Sequence, residues 1–310
     1  MGIAVVGTVF VDIKGFPYDV YNPTGRNAGT VEIVHGGVGR NVVEDIANVE
    51  LRPTFVSMVD DTANGTEVLE KLRKHKVNTD YVAVGPDCMG IWLVVFDNTG
   101  DLAGSISKRP DTAPLEKMLR EKGDEIFRDA DSIVLEVDLD KEIVKLVLHY
   151  AEKYGKKVFG VVSNMVIASQ RRDFLQSIDC FVCNLQEAGI LFVDDFSEMS
   201  PDDLKTELQD RIRKAGIPSM VVTMGSRGAV YASADGECGY HPPEKVKVRD
   251  TSGAGDAFCA GVAVGLTYGK TLEESVKIGT QLAASVITIS ESTCPRFQPQ
   301  ELGLEIRIDS

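Results

Sequence analysis

Asp250-Thr251-Ser252-Gly253-Ala254-Gly255-Asp256-Ala257-Phe258-Cys259-Ala260-Gly261 is the most informative run in the chain. It follows a strand-like segment, Lys245–Val248, and leads into small and apolar residues from Ala257 to Leu266. A stretch apolar on nearly every side predicts a deeply buried helix. The start of that helix is glycine, a small residue, glycine and an acid. Free N–H groups and the positive end of the dipole make a helix N-terminus an anion site. Gly253 and Gly255 allow an oxyanion to approach the backbone closely. Asp256 falls in the first turn, where the dipole favours its ionised form. Beside a bound phosphoryl group it is placed to take the proton of an attacking hydroxyl. Phosphoryl transfer depends mainly on positioning and charge stabilisation, so a weak base suffices. Taken alone, the same residues also read as a capped helix with an N-terminal acid.

Working outward, short Val- and Ile-rich runs alternate with amphipathic stretches. Ile3–Gly7, Thr54–Val59, Ser132–Glu136, Lys157–Val162, Cys180–Cys183 and Met220–Met224 read as buried strands. Val42–Val49, Thr66–His75, Lys141–Tyr154 and Pro201–Ala215 read as helices, the last with Ser200 as N-cap. This alternation predicts an α/β fold with a mainly parallel central sheet and helices on both faces. Two regions break it. Residues 10–35 and 88–108 carry alternating strand patterns, and Asp97-Asn98-Thr99-Gly100 has the composition of a hairpin turn. We expect these insertions to form a small β-sheet that covers the carboxyl ends of the main sheet as a lid, the plainer alternative being an edge hairpin. The tail after Pro299 reads as a short surface strand or a loose end.

Composition narrows the classes. The 310 residues hold 47 acidic and 33 basic side chains, a formal net charge of -14, which argues against nucleic acid or an anionic membrane surface as partner. No apolar run is long enough to span a bilayer. Met1-Gly2-Ile3-Ala4-Val5-Val6-Gly7 reads as a first strand rather than a secretory signal, so a cytoplasmic chain with reduced thiols is expected. Cys180 and Cys183 have CxxC spacing without a second pair, and read as buried strand cysteines. Gly265 to Thr271 has one residue too few between its glycines for a phosphate-binding P-loop, and reads as a turn between helices.

Further motifs are plain when taken alone. Gly36-Gly37-Val38-Gly39-Arg40-Asn41 is either a glycine turn before the helix Val42–Val49 or a close backbone approach to a polyhydroxyl ligand, with Asn41 as donor and acceptor. Asp12 reads as a turn residue. Asn184-Leu185-Gln186-Glu187 is a helix-capping pattern. Thr223-Met224-Gly225-Ser226-Arg227-Gly228 reads as a hairpin into Ala229–Ala232.

Together these stretches resemble the ribokinase/PfkB carbohydrate-kinase family. The run Asp250–Phe258 is similar to its C-terminal signature over its whole length, and four motifs in family order span roughly residues 1–295. The resemblance implies a ribokinase-like three-layer sandwich over residues 1–310 with a β-sheet lid. It implies that Gly253, Ala254 and Gly255 form an anion hole with Asp256 as catalytic base. It implies sugar contacts from Asp12, Gly36, Gly37 and Asn41, and a nucleotide loop at Asn184, Thr223, Gly225 and Gly228. Asn184 and Glu187 would organise waters on Mg²⁺, a use that suits an ion reluctant to lose its water, and Asp250 would help bind a monovalent cation such as K⁺. ATP and Mg²⁺ are the implied cosubstrate and ion, and a small sugar or nucleoside the acceptor. Within the family the wording of residues 27–41, 97–101 and 236–239 is similar to the pseudouridine kinase group, implying transfer to the 5′-hydroxyl of pseudouridine. Ribokinase or another nucleoside or sugar kinase is the alternative, and a non-catalytic nucleotide- or sugar-binding module the alternative of another class. Gly160-Val161-Val162-Ser163 departs from the family pattern, which often has Asp-Pro after this strand. An open lid edge also implies a homodimer through the lid.

Overall fold

The computed structural model describes residues 2–305. Its strands in chain order are β1 (Ala4–Val6), β2 (Phe10–Pro17), β3 (Gly29–Gly36), β4 (Thr54–Asp60), β5 (Asn78–Gly85), β6 (Gly90–Phe96) and β7 (Leu102–Lys108). These are followed by β8 (Ile133–Glu136), β9 (Val158–Val161), β10 (Cys180–Asn184), β11 (Ser219–Thr223), β12 (Ala229–Ser233) and β13 (Cys238–His241). The helices are α1 (Val38–Asn48), α2 (Ala63–Lys74), α3 (Ala113–Arg128), α4 (Lys141–Tyr154) and α5 (Met165–Ser169). Then come α6 (Arg172–Leu175), α7 (Leu185–Phe192), α8 (Pro201–Ala215), α9 (Ala254–Thr267) and α10 (Leu272–Val286).

A nine-stranded sheet runs in the order β13-β12-β11-β10-β9-β8-β1-β4-β5. From β5 to β11 every pair is parallel, and β12 and β13 are added antiparallel at one edge. Alternation along the strands feeds two cores. Val5 joins the one covered by α1, α2, α9 and α10, while Ala4 and Val6 join the one covered by α3 to α8. The result is the expected three-layer α/β sandwich, mainly parallel at its centre.

The second sheet has four strands, ordered β3-β2-β6-β7, with β2 and β6 parallel and the outer pairs antiparallel. It arises from the two regions that broke the α/β pattern. The β6–β7 hairpin turns at the expected place, with the Gly100 amide donating to the Asp97 carbonyl.

Several sequence expectations need correction. Lys245–Val248 belongs to no strand; it runs exposed, and the next residue, Arg249, donates its N–H to the carbonyl of Ile287. The first helix begins at Val38, not Val42. Gly37, at φ 99°, turns the chain sharply enough for Gly39, Arg40 and Asn41 to enter the helix directly. Pro299–Leu302 is a 3₁₀ turn that buries Pro299 and Leu302, not a strand or a loose end; residues 306–310 lie outside the described residues. Cys180 and Cys183 are free and buried in β10, as expected. Gly269, at φ 84°, makes the turn between α9 and α10 in the false P-loop. Among the described residues no helix is long and apolar enough to cross a membrane.

Candidate active site

Strand order reverses between β1 and β8: the chain builds outward through β4 and β5 on one side and β9 to β11 on the other. Such a switch point opens a crevice at the carboxyl ends of the strands. Here Glu136 ends β8 and accepts from Thr8, just past β1, through N–H at 2.8 Å and Oγ at 3.0 Å. Above this pair lies a cavity of about 580 Å³. The small sheet walls it with Asp12, Lys14, Val34, Trp92 and Ser107, and the N-terminus of α9 closes one end with Gly253 and Asp256.

Helix α9 is built to present its first turn. Gly253 is its N-cap at φ 78°, and a Cβ there would run into the carbonyl of Ser292. The Ala254 amide donates to the Thr251 carbonyl at 3.3 Å. The amides of Gly255 and Asp256 have no acceptor among the described residues, and the space beside Gly255 is open. The free donors at this helix start are therefore the amides of Gly255 and Asp256, while Ala254 is engaged in the preceding turn.

Asp256 accepts from Asn41 Nδ2 at 2.6 Å. The helix dipole was expected to keep this acid ionised. Burial opposes that, together with the nearby Glu187 and Asp12, and lifts its pKa from 3.8 to about 7 against the favourable Asn41 bond and Arg40 charge. In an enclosed site desolvation outweighs a dipole effect of a fraction of a kilocalorie. Asp12 is likewise raised by burial, offset by Lys14 and Arg40, and its carboxylate packs on Gly36. Asp12, Gly36, Gly37 and Asn41 thus meet Gly253 and Asp256 around one cavity.

The remaining expected residues divide. Glu187 lines the cavity, and its pKa is raised by burial and by Asp138. Asn184 forms a reciprocal capping box with it, the capping reading of that motif, and lies beside Thr223 in the β10–β11 register. Thr223, Gly225 and Gly228 frame the turn into β12 and do not line the cavity. Asp250 also lies off its wall; burial works against its charge, but bonds from Ser252, led by the N–H at 2.9 Å, bring its pKa below the usual value. Among the described residues no group of three or more His, Cys, Asp or Glu could hold a metal ion. The cavity carries the carboxylates of Asp12, Glu136, Asp138, Glu187 and Asp256 against few cations, so a polyphosphate would need a divalent cation with it.

Three functional candidates escaped the sequence reading. Glu136 is buried, and its pKa rises to about 7 through burial and the charge of Asp138. Its signal was an acid at the end of an apolar strand. Asp138, also buried, accepts from Ser163 N and Oγ and from Asn164 N, so the Gly160–Ser163 departure is filled by a Ser–Asp clasp. Arg40 is 2% exposed. It donates to the carbonyls of His35 and Gly36, to Glu44 at 3.1 Å and to Ser292 Oγ at 3.3 Å; Ser292 in turn donates to Asn41. Arg40 stands inside the glycine motif, but its burial was not legible there, because Ser292 reaches it from the far end of the chain.

Comparison with known proteins fits this geometry. A family model described as pfkB family carbohydrate kinase matches residues 2–296. A guanosine-inosine kinase of Exiguobacterium acetylicum is 36% identical over 292 residues, covering 94% of this chain and 95% of the relative. A pseudouridine kinase of Escherichia coli is 25% identical over 295 residues, covering 94% and 92%. The solved structure of an Arabidopsis thaliana ribokinase complexed with ribose and ATP has a TM-score of 0.82 at 23% identity, covering 97% of each chain, a likeness of fold.

Proposed function

This chain belongs to the pfkB family of carbohydrate kinases, and from that premise we propose that it transfers the γ-phosphoryl group of ATP to the 5′-hydroxyl of a nucleoside. One observation carries the reading: Asp256 lines the same cavity as Asp12 and Asn41, in the first turn of a helix whose Gly255 and Asp256 amides have no acceptor among the described residues. An acceptor held by Asp12, Asn41 and the Gly36–Gly37 backbone would present its hydroxyl to Asp256. The carboxylate takes the hydroxyl proton, the acceptor oxygen bonds to the γ-phosphorus, and the bond to the bridging oxygen breaks to release ADP. The amides of Gly255 and Asp256 stabilise charge on the transferred group. Glu187, oriented by its box with Asn184, would hold Mg²⁺ through water; the ion supplies charge neutralisation to the phosphates. Thr223, Gly225 and Gly228 would border the nucleotide, and Asp250 a monovalent cation.

Guanosine or inosine is the first acceptor to test, because the relative of that activity shares 36% of its residues with this chain. Pseudouridine is the second, on the 25% relative and the lid wording. ATP consumption with guanosine, inosine, adenosine, pseudouridine and ribose, with Mg²⁺ and K⁺ present, decides between them. Turnover with ribose alone would overturn the nucleoside reading, and silence with all five would favour a binding role. The small sheet acts as a lid in this reading. Its outer face bears exposed Val31, Ile33, Leu93 and Ile106, which favours pairing with a second copy of the chain.

A further inference from the structure

We propose that Trp92 of the lid and Arg109 just after it form a 6-oxopurine subsite, with Trp92 stacking on the base and Arg109 donating to its O6 and N7. The inference rests on the nucleoside-kinase reading and says which base that site takes.

The lid register sets the geometry. Val34, Asp12, Trp92 and Ser107 stand side by side on four adjacent strands and share one face, and all four line the cavity. Neighbouring strands are about 4.8 Å apart. If Asp12 holds the hydroxyls of a ribose, the indole one strand away is in reach of whatever the ribose carries at C1′. An aromatic plane there offers a flat apolar surface for a base. Trp92 is the chain's only tryptophan, it is half-buried, and it belongs to neither hydrophobic core. The equivalent row on the outer face, Ile33, Ile13, Leu93 and Ile106, is wholly aliphatic. The aromatic residue thus stands on the cavity side alone.

Arg109 follows Lys108, the last residue of β7, and also lines the cavity. One arm of its guanidinium donates to the Asp138 carbonyl at 3.0 Å, which anchors it. The Asp138 carboxylate is committed to Ser163 and Asn164. Among the described residues Arg109 makes no ion pair, although acids outnumber bases in the chain. A 6-oxopurine presents O6 and N7 as adjacent acceptors that match the arginine fork, whereas a 6-aminopurine turns a donor towards it. Glutamine, by contrast, matches the adenine edge.

The single tryptophan makes the test direct. In the full-length protein, guanosine and inosine are expected to quench Trp92 fluorescence saturably, and ribose is expected to leave it unchanged. Arg109→Gln is expected to lower the guanosine-to-adenosine ratio of kcat/KM by roughly 10–100-fold. Guanosine turnover without quenching, or a ratio that Arg109→Gln leaves unchanged, overturns the subsite while the nucleoside kinase stands. Turnover of ribose but of no nucleoside overturns both.

Discussion

Asp256 faces two opposed demands. As the proposed base it must be ionised, yet as an enclosed carboxylate near Glu187 and Asp12 it is costly to ionise, which is why its pKa rises from 3.8 to about 7. The acid limb of kcat/KM is expected near pH 7 for that reason, activity rising as the carboxylate loses its proton. The effect on stability has the opposite sense. The folded pKa lies above the unfolded one, so this stabilisation is complete below pH 3.8 and is lost as pH rises through about 7. Asp256→Asn should therefore raise the melting temperature of the ligand-free protein at about pH 8 and change it little at about pH 4. The same variant should lower kcat by at least ~10² with ATP binding preserved. A variant keeping more than half its kcat would refute the base role, and equal melting shifts at both pH values would refute the electrostatic account. Asp256 was legible in the sequence because a GAGD run before an apolar helix is local. Its raised pKa was not, because the groups that enclose it arrive from β2 and α7.

At the scale of elements, two helices do the positioning. Along α1, Arg40, Glu44, Asp45 and Asn48 share one face, and they hold the segment from Ser292 to Cys294. That segment presses the Ser292 carbonyl against Gly253, so α1 also steadies the start of α9. Arg40→Met would remove the bonds to His35, Gly36 and Ser292 and leave Glu44 with Lys71, 2.9 Å away, as its one ion-pair partner among the described residues. Breaking a buried pair costs about 3 kcal/mol or more, and urea unfolding should show that loss. A midpoint like that of the parent would mean that Arg40 does not carry the network. In α9, Gly253→Ala would force a Cβ into the Ser292 carbonyl at a left-handed backbone position, so kcat should fall steeply, while substitution of exposed Leu102 on β7 should spare it. Normal kcat in Gly253→Ala would show that the α9 N-terminus does not set the phosphoryl site. The four-residue error at the start of α1 has a related cause. Glycines in a sequence signal a turn, but only the packing around Gly37 shows that the turn leads straight into a helix.

For the whole molecule, the small sheet is where the proposed lid and the proposed dimer surface coincide. Its inner face brings Asp12, Trp92 and Ser107 to the cavity beside Val34, and its outer face is aliphatic and exposed at Ile33 (64%) and Ile106 (70%). Both outer strands, β3 and β7, have an open edge. The proposed homodimer would cover this face. Sedimentation of the parent is expected to show a dimer, and the double substitution Ile33→Lys with Ile106→Lys a monomer; a monomeric parent would remove the proposal.

The sequence by itself determined the α/β alternation, the two insertions that became the small sheet, and the glycine-acid start of α9. Each of these is written in neighbouring residues, through periodicity, turn chemistry or a cap. Only the tertiary structure decided what surrounds them: the Glu136–Thr8 clasp at the switch point, the Asp138–Ser163 bond, the burial of Arg40, and the row that sets Trp92 beside Asp12. Those pairings join residues far apart in the chain, and their energies come from shared burial, which no local pattern encodes.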